Sequence, residues 1–321
     1  MSEIIAQKVL DAVLEHIADN QHDEQRPGDV SILHLRMPRH RRRENHGHAC
    51  RKAIIYLLKS DSVDATVANA LSVCLNNVIT MEDDPSTATR RKKDASMTVA
   101  LNMVRDGKGD AMVSAGNTGA LFTGATLIVH RIAGVRRAAL GTVMPFQNPV
   151  LLLDCGANVT ITADYLSQFA CLGSVYMEKV CGVQNPRVGL LNNGTESTKG
   201  TPLYTETYEL LKNMKNINFV GNVEGKAVPF GVCDVVVCDG FTGNVVLKTT
   251  EGLSKFLMSR IIGMFKEDLI GNIAGLLVKK KAKKLKKAFD PKEYGGAPLL
   301  GLAKPVIKAH GNSDAKAMKN A

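Results

Sequence analysis

Tryptophan is absent from the 321-residue chain, and aromatic residues make up only 5% of it. Nucleic-acid modules that stack bases on aromatic platforms are poorly served by such a composition. No two of the seven cysteines form a CxxC pair, and Cys50, Cys74, Cys155, Cys171, Cys181, Cys233 and Cys238 are scattered along the chain. An odd, unpaired set reads as reduced and mostly buried thiols, the pattern of a cytosolic protein. No run of apolar residues is long enough to cross a bilayer. The charged opening segment, Met1 to Asn20, lacks the shape of a secretory signal. His40, His46 and His48 cluster, but their spacing matches no zinc pattern, so no metal is expected.

Forty-five per cent of the residues are hydrophobic, which excludes global disorder. The net charge of +10 is unevenly placed. Residues 1–77 carry ten basic and ten acidic side chains, so the whole excess lies beyond them. Much of it is one run, Lys279 to Lys287, which points to an anionic partner.

Residues 1–19 show helical spacing, 20–29 read as a loop, and 36–52 read as a basic segment without a period. From residue 78 the pattern alternates. Strands are expected at 110–114, 150–154, 187–191, 218–221 and 233–238. Helices are expected at 120–132, 162–180, 201–212 and 245–257. Apolar strands alternating with helices imply a largely parallel sheet covered on both faces. Such sheets bind ligands beyond the carboxyl ends of their strands. Five polar turns are expected there, and they should converge on one cleft.

The first turn holds Ser114, Gly116, Asn117, Thr118 and Gly119, whose amides at a helix start suit an oxyanion or phosphate. It is neither a Walker motif nor a dinucleotide fingerprint. The second and third hold Asp154 with Asn158, and Asn193 with Thr195, Glu196 and Lys199. The fourth holds Asn222 and Glu224. The fifth holds Asp239, Gly240, Thr242, Gly243 and Asn244, with Lys248 one helical turn on. Asp154 and Asp239 are equally well read as helix caps, and Asn158 and Asn244 as turn residues. A nucleophilic Cys155 is disfavoured because no sequence-local histidine would activate it.

Residues 252–278 read as one amphipathic helix, with Phe256, Leu257 and Ile261 on its apolar stripe. Followed by Lys279, Lys283 and Lys284, the stripe fits a dimer interface or core. With less weight, it also fits a surface helix on anionic lipid.

Taken in order, these turns resemble the PlsX family, the phosphate acyltransferases of bacterial phospholipid synthesis. The matching text is MEDDP at 81–85, RRKKDASM at 90–97, VSAGNTGA at 113–120, DCGAN at 154–158 and LNNGTE at 191–196. It continues as GNVEG at 221–225, DGFTGNV at 239–245, YGGAPLLG at 294–301 and HGNSD at 310–314. The resemblance runs from about Val78 to the end. It implies a three-layer α/β/α fold like that of phosphotransacetylases and isopropylmalate dehydrogenases, in one domain spanning 78–321. It implies a homodimer, cytoplasmic and peripherally attached to the membrane.

The implied reaction transfers a fatty acyl group from acyl carrier protein to inorganic phosphate. A glycerol-3-phosphate acyltransferase would consume the acyl phosphate. No cofactor and no nucleic acid are implied. Asn117, Asn158, Lys199, Asp239 and His310 would be the catalytic residues. The remaining turn residues would bind phosphate and substrate. The alternatives are an enzyme using acyl-coenzyme A and a catalytically impaired membrane scaffold. The family opens with a strand and a D-A-M-G-G-D motif, which residues 1–77 do not contain. That region therefore reads as divergent, rearranged or frame-shifted.

Overall fold

In the computed structural model the described residues are 55–58, 78–288, 296–311, 313 and 315–321. The helix expected over 1–19, the loop at 20–29 and the basic segment at 36–52 lie outside them. The chain divides into two compact units. One contains the described residues up to Gly141 together with Gly296–Lys319 and Ala321; the other runs from Thr142 to Gly295 and includes Asn320.

The first unit has five strands in the order β1-β2-β9-β8-β3. They are β1 (Ile55–Leu58), β2 (Ala111–Ser114), β3 (Ala139–Pro145), whose first residues belong here, β8 (Ala297–Leu300) and β9 (Val306–Lys308). Pairing is mixed: β2 runs parallel to β9, while β1–β2, β9–β8 and β8–β3 are antiparallel. Helix α1 (Ala88–Arg91) is short. Helix α2 (Ser96–Arg105) buries Met97, Ala100, Leu101 and Val104, one face at helical spacing. It packs on β2 and on α3 (Thr118–Ile128). The unit closes with α8 (Ala315–Asn320). The sequence reading assigned no element to α1, α2, β3, β8, β9 or α8.

The second unit carries four parallel strands in the order β4-β7-β5-β6. These are β4 (Pro149–Leu153), β5 (Arg187–Asn192), β6 (Asn218–Glu224) and β7 (Val235–Val237). Val150 to Leu153 and Val235 to Val237 are almost fully buried. Each such side chain contributes roughly 1.5–3 kcal/mol by leaving water. Helix α4 (Ala163–Lys179) packs on β4, β5 and β7 and against α5 (Pro202–Lys212). At the amino ends of the strands the Arg187 guanidinium grips Asp234 through two hydrogen bonds of 3.0 and 2.9 Å, and the Arg187 amide adds a third at 2.8 Å.

Two expectations for this unit are corrected. Asn222 and Glu224 lie within β6, where they pair with Leu190 and Asn192, not in a turn beyond it. The strand continues because a bulge intervenes. Val188 pairs with Phe219 and Leu190 with Asn222, so β6 holds one extra residue, and Gly221 takes φ +93°.

The amphipathic helix expected over 252–278 is two helices, α6 (Gly240–Met264) and α7 (Leu269–Ala288). Asp268 causes the break, since its carboxylate accepts the Gly271 amide and starts a new helix. Phe256, Leu257 and Ile261 are exposed on α6, and Ile270, Ile273, Leu276 and Leu277 are exposed on α7. Lys279 and Lys283 are exposed as well. No helix among the described residues is long and apolar enough to cross a membrane.

Candidate functional site

In unit 2 the loops that follow β4, β5 and β7 are tied to one another by hydrogen bonds. Asp154 follows β4 and is wholly buried. Its carboxylate accepts the amides of Gly156, Ala157 and Asn158 at 2.8–2.9 Å and the Asn158 side-chain amide at 2.6 Å. Burial pushes this carboxyl up, against the pull of those four bonds. All four partners are donors, so the group is ionised at neutral pH. Asp154 therefore staples its own loop. The Asn158 carbonyl in turn accepts the Gly240 amide at 2.8 Å, joining the loop to the start of α6.

Helix α6 begins at Gly240, so Gly240, Thr242, Gly243 and Asn244 are helical and not part of an open turn. Asp239 is its N-cap: one oxygen takes the Thr242 amide at 2.9 Å, the other the Thr242 hydroxyl at 2.6 Å. The Tyr204 hydroxyl also donates to Asp239 at 2.6 Å. Burial pushes the Asp239 carboxyl up, but the bonds from Thr242 and Tyr204 outweigh it and hold the group below its ordinary range. The Gly240 amide is bonded to Asn158 and the Gly243 amide to Asp239. A Cβ on Gly243 would stand 1.9 Å from the Asp154 carbonyl oxygen, so only glycine fits there. The amides expected to cradle an anion at this turn thus serve the protein itself.

The loop after β5 is held from three sides. The Asn192 side-chain amide donates to the Lys199 carbonyl at 3.0 Å, and Asn222 donates to the Glu196 carbonyl at 2.7 Å. Tyr204, on the helix that follows, supplies the third tie through Asp239. The Asn222 side-chain oxygen is buried with no partner among the described residues. Asn193, Thr195, Glu196 and Lys199 are exposed, as are Asn244 and Lys248. The side chains of Asn193 and Asn244 have no hydrogen-bond partner among the described residues. Lys248 pairs with Glu251 at 2.9 Å. Glu224 pairs with Lys226 at 2.9 Å. Cys155 is buried against the Thr142 hydroxyl, 3.1 Å away. Burial pushes its thiol up to about 12, so it stays protonated at neutral pH.

In unit 1, Asn117 caps α3 by accepting the Ala120 amide at 3.1 Å, and its side-chain amide donates to the Thr80 carbonyl at 3.1 Å. The Ser114 hydroxyl accepts the Gly116 amide at 3.2 Å. The amides of Thr118 and Gly119 have no partner among the described residues and lie in the first turn of α3, where an anion is favoured. His310 follows β9, and its carbonyl accepts the Ser313 amide at 2.9 Å. The 81–97 segment has no role assigned from sequence. There Lys92 bonds Asp83 at 2.7 Å and the Val78 carbonyl at 2.9 Å, closing the segment on itself.

The sequence reading also missed Tyr204. The only signal was an aromatic residue with a hydroxyl at an otherwise apolar helix position.

A family model described as fatty acid synthesis protein matches residues 48–321. The chain belongs to the PlsX family of fatty acid synthesis proteins. Family relatives are close. A phosphate acyltransferase of Caldicellulosiruptor bescii is 49% identical over 241 residues, which is 75% of this chain and 72% of that protein. One of Clostridium perfringens is 49% identical over 245 residues, with 76% and 72% covered. A solved phosphotransacetylase from Streptococcus pyogenes superposes with a TM-score of 0.50 at 19% identity, over 78% of this chain and 71% of that one. That likeness shows the fold, the three-layer α/β/α class the PlsX resemblance implied.

Proposed function

We propose that the chain transfers a fatty acyl group from acyl carrier protein to inorganic phosphate, giving acyl phosphate and the free carrier thiol. Family membership and relatives named phosphate acyltransferase support the phosphate acceptor. The observation that carries the chemistry is Cys155. Buried and protonated, it is not a nucleophile, and a thioester needs none from the protein. A phosphate oxygen attacks the thioester carbonyl directly. The tetrahedral intermediate collapses, the C–S bond breaks, and the phosphate proton passes to the departing thiolate. The protein's part is to position phosphate and stabilise charge.

The candidate donors are the Thr118 and Gly119 amides in unit 1 and, in unit 2, the ammonium groups of Lys199 and Lys248 with the side-chain amides of Asn193 and Asn244. Asp154, Asn158, Asp239 and Asn117 act through the loops they hold. Of Asp239, Glu196 and His310, the candidates to orient phosphate or handle its proton, Asp239 is engaged in capping α6, which leaves Glu196 and His310. The basic run beginning at Lys279 suits an acidic carrier protein and an anionic membrane surface. The exposed apolar faces of α6 and α7 suit a homodimer. The place of action is the cytoplasm, at the inner face of a membrane.

The test is acyl phosphate formation from palmitoyl-acyl carrier protein and inorganic phosphate, trapped as hydroxamate. Activity only with acyl-coenzyme A would replace the donor. A folded chain that binds carrier protein without turnover would support the scaffold reading, which the missing D-A-M-G-G-D motif favours.

A further inference from the structure

At the carboxyl end of the unit 2 sheet Asn193, Lys199, Asn244 and Lys248 stay exposed, while Asp154, Asn158 and Asp239 are turned inward and bonded within their loops. Side chains immediately next to them in sequence are apolar and exposed. Val159 follows Asn158 and is 65% exposed; Phe241 follows Gly240 and is 65% exposed. One hydrogen bond, from the Gly240 amide to the Asn158 carbonyl, joins the two loops at 2.8 Å. Val245 lies four residues beyond Phe241 on α6, hence on the same face, and is 48% exposed. A Cβ on Gly156 would stand 3.7 Å from the Asn244 Cβ, so this first part of α6 lies beside the loop from Asp154 to Asn158. An apolar rim thus stands at the strand ends, where parallel sheets bind ligands. Its water-facing cost persists in the structure, which points to a ligand that covers it.

We propose that Val159, Phe241 and Val245 form the contact surface for the acyl chain of the substrate, and that Phe241 sets the preference for long chains. The inference rests on the proposed function, because the only substrate of that reaction with an apolar part is the acyl donor. Carbons beyond the first few from the thioester would lie along this rim, and a butyryl group would not reach its full length. Removing the Phe241 ring then costs the contacts of several methylenes, each a measurable factor in binding.

The experiment compares kcat/KM for palmitoyl- and butyryl-acyl carrier protein in the full chain. The palmitoyl-to-butyryl ratio falls about tenfold in Phe241→Ala and recovers in Phe241→Leu. Val159→Ser lowers it in the same direction. A ratio unchanged in both Phe241→Ala and Val159→Ser overturns the proposal, and so does an equal loss at both chain lengths. A variant with an unchanged ratio but weaker sedimentation with phosphatidylglycerol vesicles also overturns it, and makes the rim a membrane contact. If the wild-type chain forms no acyl phosphate, the functional reading fails and the rim is judged by binding of the fluorescent fatty acid cis-parinaric acid. Affinity about tenfold weaker in Phe241→Ala supports the rim; unchanged affinity refutes it.

Discussion

Replacing Asp154 with asparagine turns one acceptor oxygen into a donor and leaves the shape of the side chain nearly unchanged. The carboxylate accepts four donors, two on each oxygen, and the group is wholly buried. Asparagine keeps one acceptor oxygen and puts an NH₂ where the other stood. Two of the four donors then face a donor. A buried donor left without a partner costs about 1–3 kcal/mol, so Asp154→Asn, which strands two, should cost roughly 2–6 kcal/mol. No cavity is created, which separates this loss from a packing defect. The damage should also spread to α6, because the Asn158 carbonyl holds the Gly240 amide. Urea unfolding of the wild type and variant gives the stability difference, and hydrogen exchange at residues 156–158 and 240–243 locates it. A loss under about 0.5 kcal/mol with unchanged exchange would refute the reasoning, since the loop would then hold itself without the carboxylate.

Cys155→Ala should retain turnover within a few-fold and iodoacetamide should leave the wild type active at pH 8, because the thiol, at about 12, is almost wholly protonated there; inactivation at Cys155 would restore the covalent reading. Tyr204→Phe should cost about 1 kcal/mol at neutral pH through the lost bond to Asp239. Asp239 sits below its unfolded value, so its contribution is complete above the ordinary carboxylate range and is lost as pH falls through the folded value. The gap between Tyr204→Phe and wild type should therefore close in acid, and a gap constant with pH would sink this account. Changing Lys283 and Lys284 to Glu should weaken sedimentation with anionic vesicles at least tenfold, by about 1 kcal/mol per lysine removed and more for the reversed charge; unchanged binding would remove the electrostatic part.

Strands of unit 2 were legible because each is a short apolar run closed by polar residues, and buried parallel strands leave that mark. In unit 1, Ala297–Leu300 and Val306–Lys308 are too short, and too interrupted by lysine and proline, to show a period. Ser96–Arg105 has a clear apolar face, but at ten residues it is short and follows closely on the charged run 90–94. The break between α6 and α7 was hidden because Lys266, Glu267 and Asp268 look alike on a helix surface. Only geometry reveals that Asp268 is a cap. At the site, residue types were readable and roles were not. Asp239 and Gly240 to Gly243 carry the composition of an anion cradle, yet their bonds are spent on capping. Tyr204 was invisible because its partner lies far along the chain.

The bulge in β6 reaches beyond the aim of Asn222. Among the described residues β6 is the outermost strand of the unit 2 sheet, with one edge that no described strand pairs. With an extra residue at Val220 and Gly221, that edge kinks midway, and an incoming strand could match its spacing over only two or three residues before losing register. The strand whose Asn222 amide reaches the Glu196 carbonyl is thus, through the same irregularity at Gly221, a poor template for a further strand.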